Sequence, residues 1–186
     1  MKPFDGCVIG HVITLKLAQE EDAEFIWTLR NDPRYNAHLS ATTGTVQDQK
    51  DWIRRYKLRE AEGSEYYFCI FRNDDGTPCG TVRVYDVRNG QFTWGSWILN
   101  ENKPAKAALD TALQVYNFGF DVLGLAKSVY DVRKDNDRTL RFHDRFGGLR
   151  IGEDTENIYY EFPLQRFREV EPTHLKAFAS GKRLSQ

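Results

Sequence analysis

The chain has 186 residues, 40% hydrophobic and 13% aromatic, with a formal net charge of −1. That length suits one domain with a sizeable core, and the near-balanced charge excludes a general nucleic-acid binder and confines any positive site to a local patch. No stretch reaches membrane-spanning length, and the start, "MKPFDGCVIGHVITL", lacks the continuous apolar run of a signal peptide. Cys7, Cys69 and Cys79 show no paired CxxC spacing, so reduced thiols in a cytoplasm are expected, with no metal framework and no membrane partner.

Taken in chain order, "HVITLKLA" alternates as a strand. A helix follows around "EEDAEFIWTLRN", with Ala23, Ile26 and Trp27 on one face and a stop at Asp32-Pro33. After the polar "PRYNAHLSATTGT", a second helix runs through "VQDQKDWIRRYKLREAEG", with Trp52, Ile53 and Tyr56 as its buried stripe and Gly63 as its stop. An antiparallel meander comes next: "EYYFCIFR", a turn at "NDDG", "TPCGTVRVYDV", a turn at "RNG", then "QFTWGSWIL".

A long helix over "KPAKAALDTALQVYNFGFDVLG" places Leu109, Ala112, Leu113, Tyr116 and Phe120 on one face, capped by Gly124. Then come a strand at "KSVYDVR", a helix at "NDRTLRFHDRFGG", and strands at "LRIGED" and "NIYYEFPL". The helix turns Thr139, Phe142, His143 and Phe146 inward. The order β-α-α-β-β-β-α-β-α-β-β predicts an α+β fold around a central mixed, mostly antiparallel sheet. From 165 the chain is charged, and an accessory segment over 165–186 is expected, either an arm or a short helix around "PTHLKAFASG", behind a main domain over 1–164.

This order resembles the GNAT family of acyl-CoA-dependent N-acyltransferases over roughly residues 11 to 164. In "DNDRTLRFHDRFGG", Asn136, His143 and Gly147 take the places of the family's asparagine, inward acid and terminal glycine. The resemblance implies a sheet splayed between the fourth and fifth strands of the predicted order. It further implies acetyl-CoA as co-substrate and transfer to a primary amine by direct attack in a ternary complex. "LRNDPRYNAHLS", "GTVRVYD", "WGSWIL" and "DVRKDN" are similar to acetyltransferases of bacterial surface-polysaccharide genes, which act on nucleotide-linked amino sugars, including those of the pseudaminic-acid route.

Under that resemblance the cofactor side draws on Trp97, Ile98, Leu99, Lys103, Ala105, Lys106, Ala107, Ala108, Asn136 and Phe142. The start of the long helix would cradle phosphates with free N–H groups and its two lysines. The loop "NENKPAKAAL" has none of the family's glycines, and Pro104 removes one donor. His143 is the expected general acid toward the sulfur leaving group. Gly95 marks a bulge or close backbone approach, and Trp94 and Trp97 fall on opposite faces of a regular strand.

Arg30, His38, Arg83, Tyr85 and Trp94 are the expected acceptor-side residues, the first four offering the charge, hydrogen bonds and flat surface that suit a nucleotide sugar. Asp131 and Glu65 are the carboxylates weighed as general base, and neither is assigned. A protein N-terminal acetyltransferase of the ribosomal-protein type and a non-catalytic acyl-CoA-binding module are the competing readings. The free edge of the meander offers a second copy a pairing surface, and a two-fold homodimer is the commonest symmetric outcome.

Overall fold

The computed structural model describes residues 4–36 and 44–179. Its elements are β1 (Cys7–Ile9), β2 (Ile13–Leu17), α1 (Ala23–Asn31), α2 (Val46–Ala61), β3 (Tyr66–Arg72), β4 (Pro78–Arg88), β5 (Gln91–Leu99), α3 (Ala107–Asn117), β6 (Lys127–Arg133), α4 (Asp137–Phe146), β7 (Leu149–Glu153), β8 (Asn157–Pro163) and α5 (Leu164–Ala179). The eight strands form one sheet in the order β1-β2-β3-β4-β5-β6-β8-β7. Every neighbouring pair is antiparallel except β5 and β6, so the expected α+β fold is the one observed. The parallel pair spans only Gln91↔Lys127 and Phe92↔Ser128 before the strands part, which is the expected splay.

Local chemistry explains where the elements start and stop. Thr45 and Asp48 close a capping box on α2, with Thr45 N–H donating to Asp48 at 2.7 Å, and Gly63 takes φ +73° just beyond its end. Asn89 and Gly90, at φ +52° and +74°, make the tight β4–β5 turn that needs two left-handed residues. Asn136 accepts from Thr139 N–H at 3.2 Å to cap α4, and Gly147 ends it at φ +112°.

Helices α1 and α2 cover one face of the sheet, where Ala23, Ile26, Ile53 and Tyr56 pack on Tyr67 and Cys69. In α1 the buried positions are Ala23, Ile26 and Leu29. Trp27 sits partly exposed and donates its indole N–H to Gly44 O at 2.9 Å, so it does not share the core stripe assigned from periodicity. The other face packs on α3, α4 and α5 in a larger core that runs from Ile13 and Phe68 through Tyr116 to Phe162 and Phe167.

Helix α3 is buried on nearly every side. Asp110, fully buried in its first turn, accepts from Val12 N–H at 2.6 Å, Ile13 N–H at 3.1 Å and the Gln114 amide at 3.1 Å, which ties the β1–β2 turn to the helix. Strand β1 is only three residues long and carries no readable alternation in the sequence. The α-helix ends at Asn117, and Phe118–Val122 winds as a π turn instead of continuing regularly to Gly124. At Gly119 an added Cβ would lie 2.3 Å from Phe92 Cε1, so the backbone there rests directly on that ring.

Beyond residue 164 the chain forms the sixteen-residue α5, longer than the short helix expected around Pro172. Phe167 is fully buried against Tyr116, Phe120 and Phe162. Arg166 Nε donates to Gly147 O at 3.2 Å, and His174 pairs with Phe146 O at 2.9 Å.

Overpacking predicts that Gly119→Ala costs about 1–3 kcal/mol of stability. Gly152→Ala, where nothing lies within 4 Å, serves as a near-neutral control. Urea unfolding checks this as a lower midpoint at unchanged slope for the first variant alone.

Candidate active site

Strands β5 and β6 diverge beyond Phe92 and Ser128, and the opening is framed by Trp94 on β5 and Tyr130 on β6, whose rings lie 6.1 Å apart. His143, on the inward face of α4, packs against both, at 5.3 Å from Trp94 and 4.5 Å from Tyr130 between ring centroids. The imidazole is 5% exposed, and burial pushes its pKa down to about 4.

The two tryptophans correct the sequence reading. Four residues on β5, Gly95 to Ile98, span the stretch opposite only Thr81 to Arg83 on β4, and Ser96 takes φ +46°. The extra residue is a bulge, which breaks the two-residue alternation. Trp94 and Trp97 therefore share the α3–α4 face, with ring centroids 5.3 Å apart, rather than opposite faces. Trp97 also meets Phe142 at 5.1 Å. Trp94, Trp97, Phe142 and His143 thus come together, and Trp94 stands on the far side of the sheet from Arg83 and Tyr85.

This nest is polar where polarity is costly. Trp97 Nε1 and His143 Nδ1 are buried without a hydrogen-bond partner, and Trp94 Nε1, Tyr116 Oη and Tyr130 Oη turn toward one another without closing a hydrogen bond of ordinary length. Each such group costs on the order of 1–3 kcal/mol unless something completes it. Indole N–H groups only donate, so the complement must carry acceptors. Amide carbonyls and a thioester oxygen, the acceptors along a pantetheine arm, meet that requirement, and the bulge adds backbone groups freed from the ladder.

Further along β5, Ile98 is buried and Leu99 partly so, with the Ile98 carbonyl only 2.2 Å from where a Cβ on Gly80 would stand. In the following loop Ala105 and Lys106 are exposed, Ala107 is buried, and Ala108 lies in the first turn of α3. Lys106 adopts φ +68° as the N-cap residue. Its ammonium donates to Ala177 O at 2.5 Å on α5, while Lys103 Nζ reaches back to Asn100 O at 3.3 Å. The loop thus replaces glycine freedom with one left-handed lysine. Asn136 spends its side-chain oxygen on the α4 cap.

On the α1–α2 face, Arg83 and Tyr85 stand side by side on β4, the guanidinium 4.8 Å from the Tyr85 ring. Arg83 pairs in register with Gly95, whose missing side chain leaves room for the Tyr85 hydroxyl. Arg30, at the end of α1, lies near enough to the buried Tyr67 hydroxyl to influence it. His38 falls outside the described residues.

Glu65 accepts from Arg59 Nε and Arg83 Nε, both at 2.6 Å. Burial alone would raise its pKa, but the two guanidiniums outweigh it and hold the carboxyl below its usual value. A carboxylate so engaged is a poor base. Sequence reasoning puts Trp94 on the acceptor side and does not single out Tyr130, because only the β5 bulge and the β5–β6 divergence bring the two together. Gly95 within an aromatic strand was the one signal of it.

Comparison with known proteins follows the same lines. A family model described as an acetyltransferase (GNAT) domain matches residues 13–148. Among solved structures, apo FdhC, described as a nucleotide-linked sugar GNAT, superposes with a TM-score of 0.85 at 47% identity, covering 91% of this chain and 97% of that one. The spermidine N-acetyltransferase of Vibrio cholerae in complex with CoA and spermine matches with a TM-score of 0.71 at 14% identity, over 84% of this chain and 98% of that one. The ribosomal-protein-S5-alanine acetyltransferase of Vibrio fischeri gives 0.71 at 13% identity, over 87% and 95%. The last two share the fold alone, and a search of curated protein sequences gave no match. With a splayed sheet, an aromatic nest at the opening and a domain match over most of its length, the chain belongs to the GNAT family of acyl-CoA-dependent N-acetyltransferases.

Proposed function

We propose that this protein transfers the acetyl group of acetyl-CoA to the amino group of a nucleotide-linked amino sugar, by direct attack in a ternary complex. The observation that carries the reading is the opening between β5 and β6, lined by buried, unpaired indole donors on one face and by Arg83 and Tyr85 on the other. The likeness to FdhC at 47% identity supports the sugar-nucleotide acceptor. The unpaired Cys7, Cys69 and Cys79 fit work in a reducing cytoplasm, and surface-polysaccharide synthesis is the process such a product would feed.

Within this reading, Trp97, Ile98 and Leu99 line the arm of the co-substrate. The loop from Lys103 to Ala108 meets its phosphates through the start of α3, and Phe142 packs against the arm. Asn136 holds α4, and with it His143, at the opening. The neutral amine attacks the thioester carbon, so a C–N bond forms and the C–S bond breaks with its electron pair on sulfur. His143, neutral at pH 7, takes the proton that the attacking nitrogen loses and hands it as an imidazolium N–H to the departing thiolate, whose free pKa is roughly 8.5. The products are an amide and a free thiol, and the imidazole ends neutral, as it began. Asp131, exposed on β6 near Tyr85, is a carboxylate that can take the acceptor ammonium's proton through water before the attack.

Mixing the protein with acetyl-CoA and UDP- or dTDP-amino sugars should release free thiol. Silence across those acceptors beside turnover of a peptide N-terminus would replace this reading with the ribosomal-protein type. His143→Ala should lower kcat on the order of 10²-fold with a much smaller change in KM for acetyl-CoA. Unchanged kcat would remove the acid role.

The depressed His143 pKa also fixes a stability profile. The unfolded chain binds this proton near 6.5 and the folded chain near 4, so the unfolded state holds more protons between those values. This group's contribution is therefore complete above about pH 6.5 and falls by about 3 kcal/mol as pH drops to 4. Urea titrations at pH 7 and pH 4 should show a fall smaller by about that amount in His143→Gln than in the parent protein.

A further inference from the structure

Arg83 and Arg59 converge on one carboxylate, Glu65, which leaves one positive charge unbalanced in a half-buried cluster. Arg83 spends only its Nε on that contact. Its two terminal nitrogens make no hydrogen bond among the described residues, and the side chain remains 29% exposed. Glu65 thus fixes the guanidinium by one corner and leaves the edge that suits a bidentate oxyanion.

Flat surfaces flank that edge. The Arg83 guanidinium lies 5.8 Å from the Trp52 ring and 4.8 Å from the Tyr85 ring, and Arg59 lies 5.6 Å from Trp52. Trp52 is braced by a parallel stack on Tyr56, 5.6 Å between centroids and 6° between planes, and is partly exposed. An anion seated on Arg83 would lie beside Gly95, its register partner, on the acceptor face of the opening. A ligand that completes this cluster needs phosphate oxygens for Arg83 and an aromatic base for Trp52.

We propose that Arg83, oriented by Glu65 and supported by Arg59, together with Trp52, forms a subsite for the nucleoside diphosphate of the acceptor, with Trp52 carrying the base. This rests on the sugar-nucleotide reading above. It adds Trp52, Arg59 and Glu65 to the acceptor site and removes Glu65 from the candidates for general base.

Calorimetric titration of the full chain with dTDP and UDP, with CoA already at saturation, tests it. Both diphosphates should bind, and both thymidine and inorganic pyrophosphate should bind about ten-fold or more weakly. Arg83→Lys keeps the charge and the partner of Glu65 but loses the two-pronged edge. It should weaken dTDP about ten-fold while KM for acetyl-CoA stays unchanged. Trp52→Leu should weaken dTDP by about ten-fold and leave pyrophosphate unaffected. No binding in the presence of CoA would assign these groups to the ADP end of CoA, or to neither ligand, and overturn the proposal. Undiminished dTDP binding in both variants would do the same. Intact dTDP binding without thiol release from acetyl-CoA would remove the proposed reaction and leave the subsite standing.

Discussion

Two strands that run in the same direction share two residue pairs and then separate, and most of what this protein does follows from that divergence. A sheet that parts in its middle must cover the exposed backbone with something. Here the cover is aromatic: Trp94 from one strand, Tyr130 from the other, and the His143 ring against both. These rings fill the space between the parted strands, and the two buried indole N–H groups among them, which only donate, favour a ligand rich in acceptors. The bulge at Ser96 serves the same end, because it turns both tryptophans to one face and leaves the other face to Arg83 and Tyr85.

The division of labour across the sheet is therefore physical before it is chemical. On the α3–α4 side the surroundings are dry, and an imidazole there stays neutral at physiological pH. On the α1–α2 side, guanidiniums and carboxylates meet at a half-exposed surface where charge is tolerated. Net charge gives no hint of this, since the arginines of that face are offset by acids elsewhere in the chain.

Much of this was legible in the residues themselves. The α4 helix was readable because a 3.6-residue period, an asparagine cap and a glycine stop agree, and that agreement put His143 inside. The meander was readable from turn residues that need positive φ. The facing of Trp94 and Trp97 was not, because one inserted residue reverses the parity of a strand. The π turn was hidden as well, since Gly119 answers to Phe92, a contact made only after the sheet forms. The Arg59–Glu65–Arg83 cluster joins α2, the start of β3 and β4, and no local pattern ties those positions together.

The last helix has a further consequence. Through Phe167 it enters the main core, through Arg166 and His174 it grips the end of α4, and near its far end the Ala177 carbonyl receives Lys106 from the turn that opens α3. One rod thus braces the start of α3 and the end of α4, on either side of the β5–β6 opening. Trimming the gene before Leu164, or grafting a bulky reporter close behind Ala179, would loosen both jaws at once, so protein engineers should place affinity handles at the opposite end of the polypeptide.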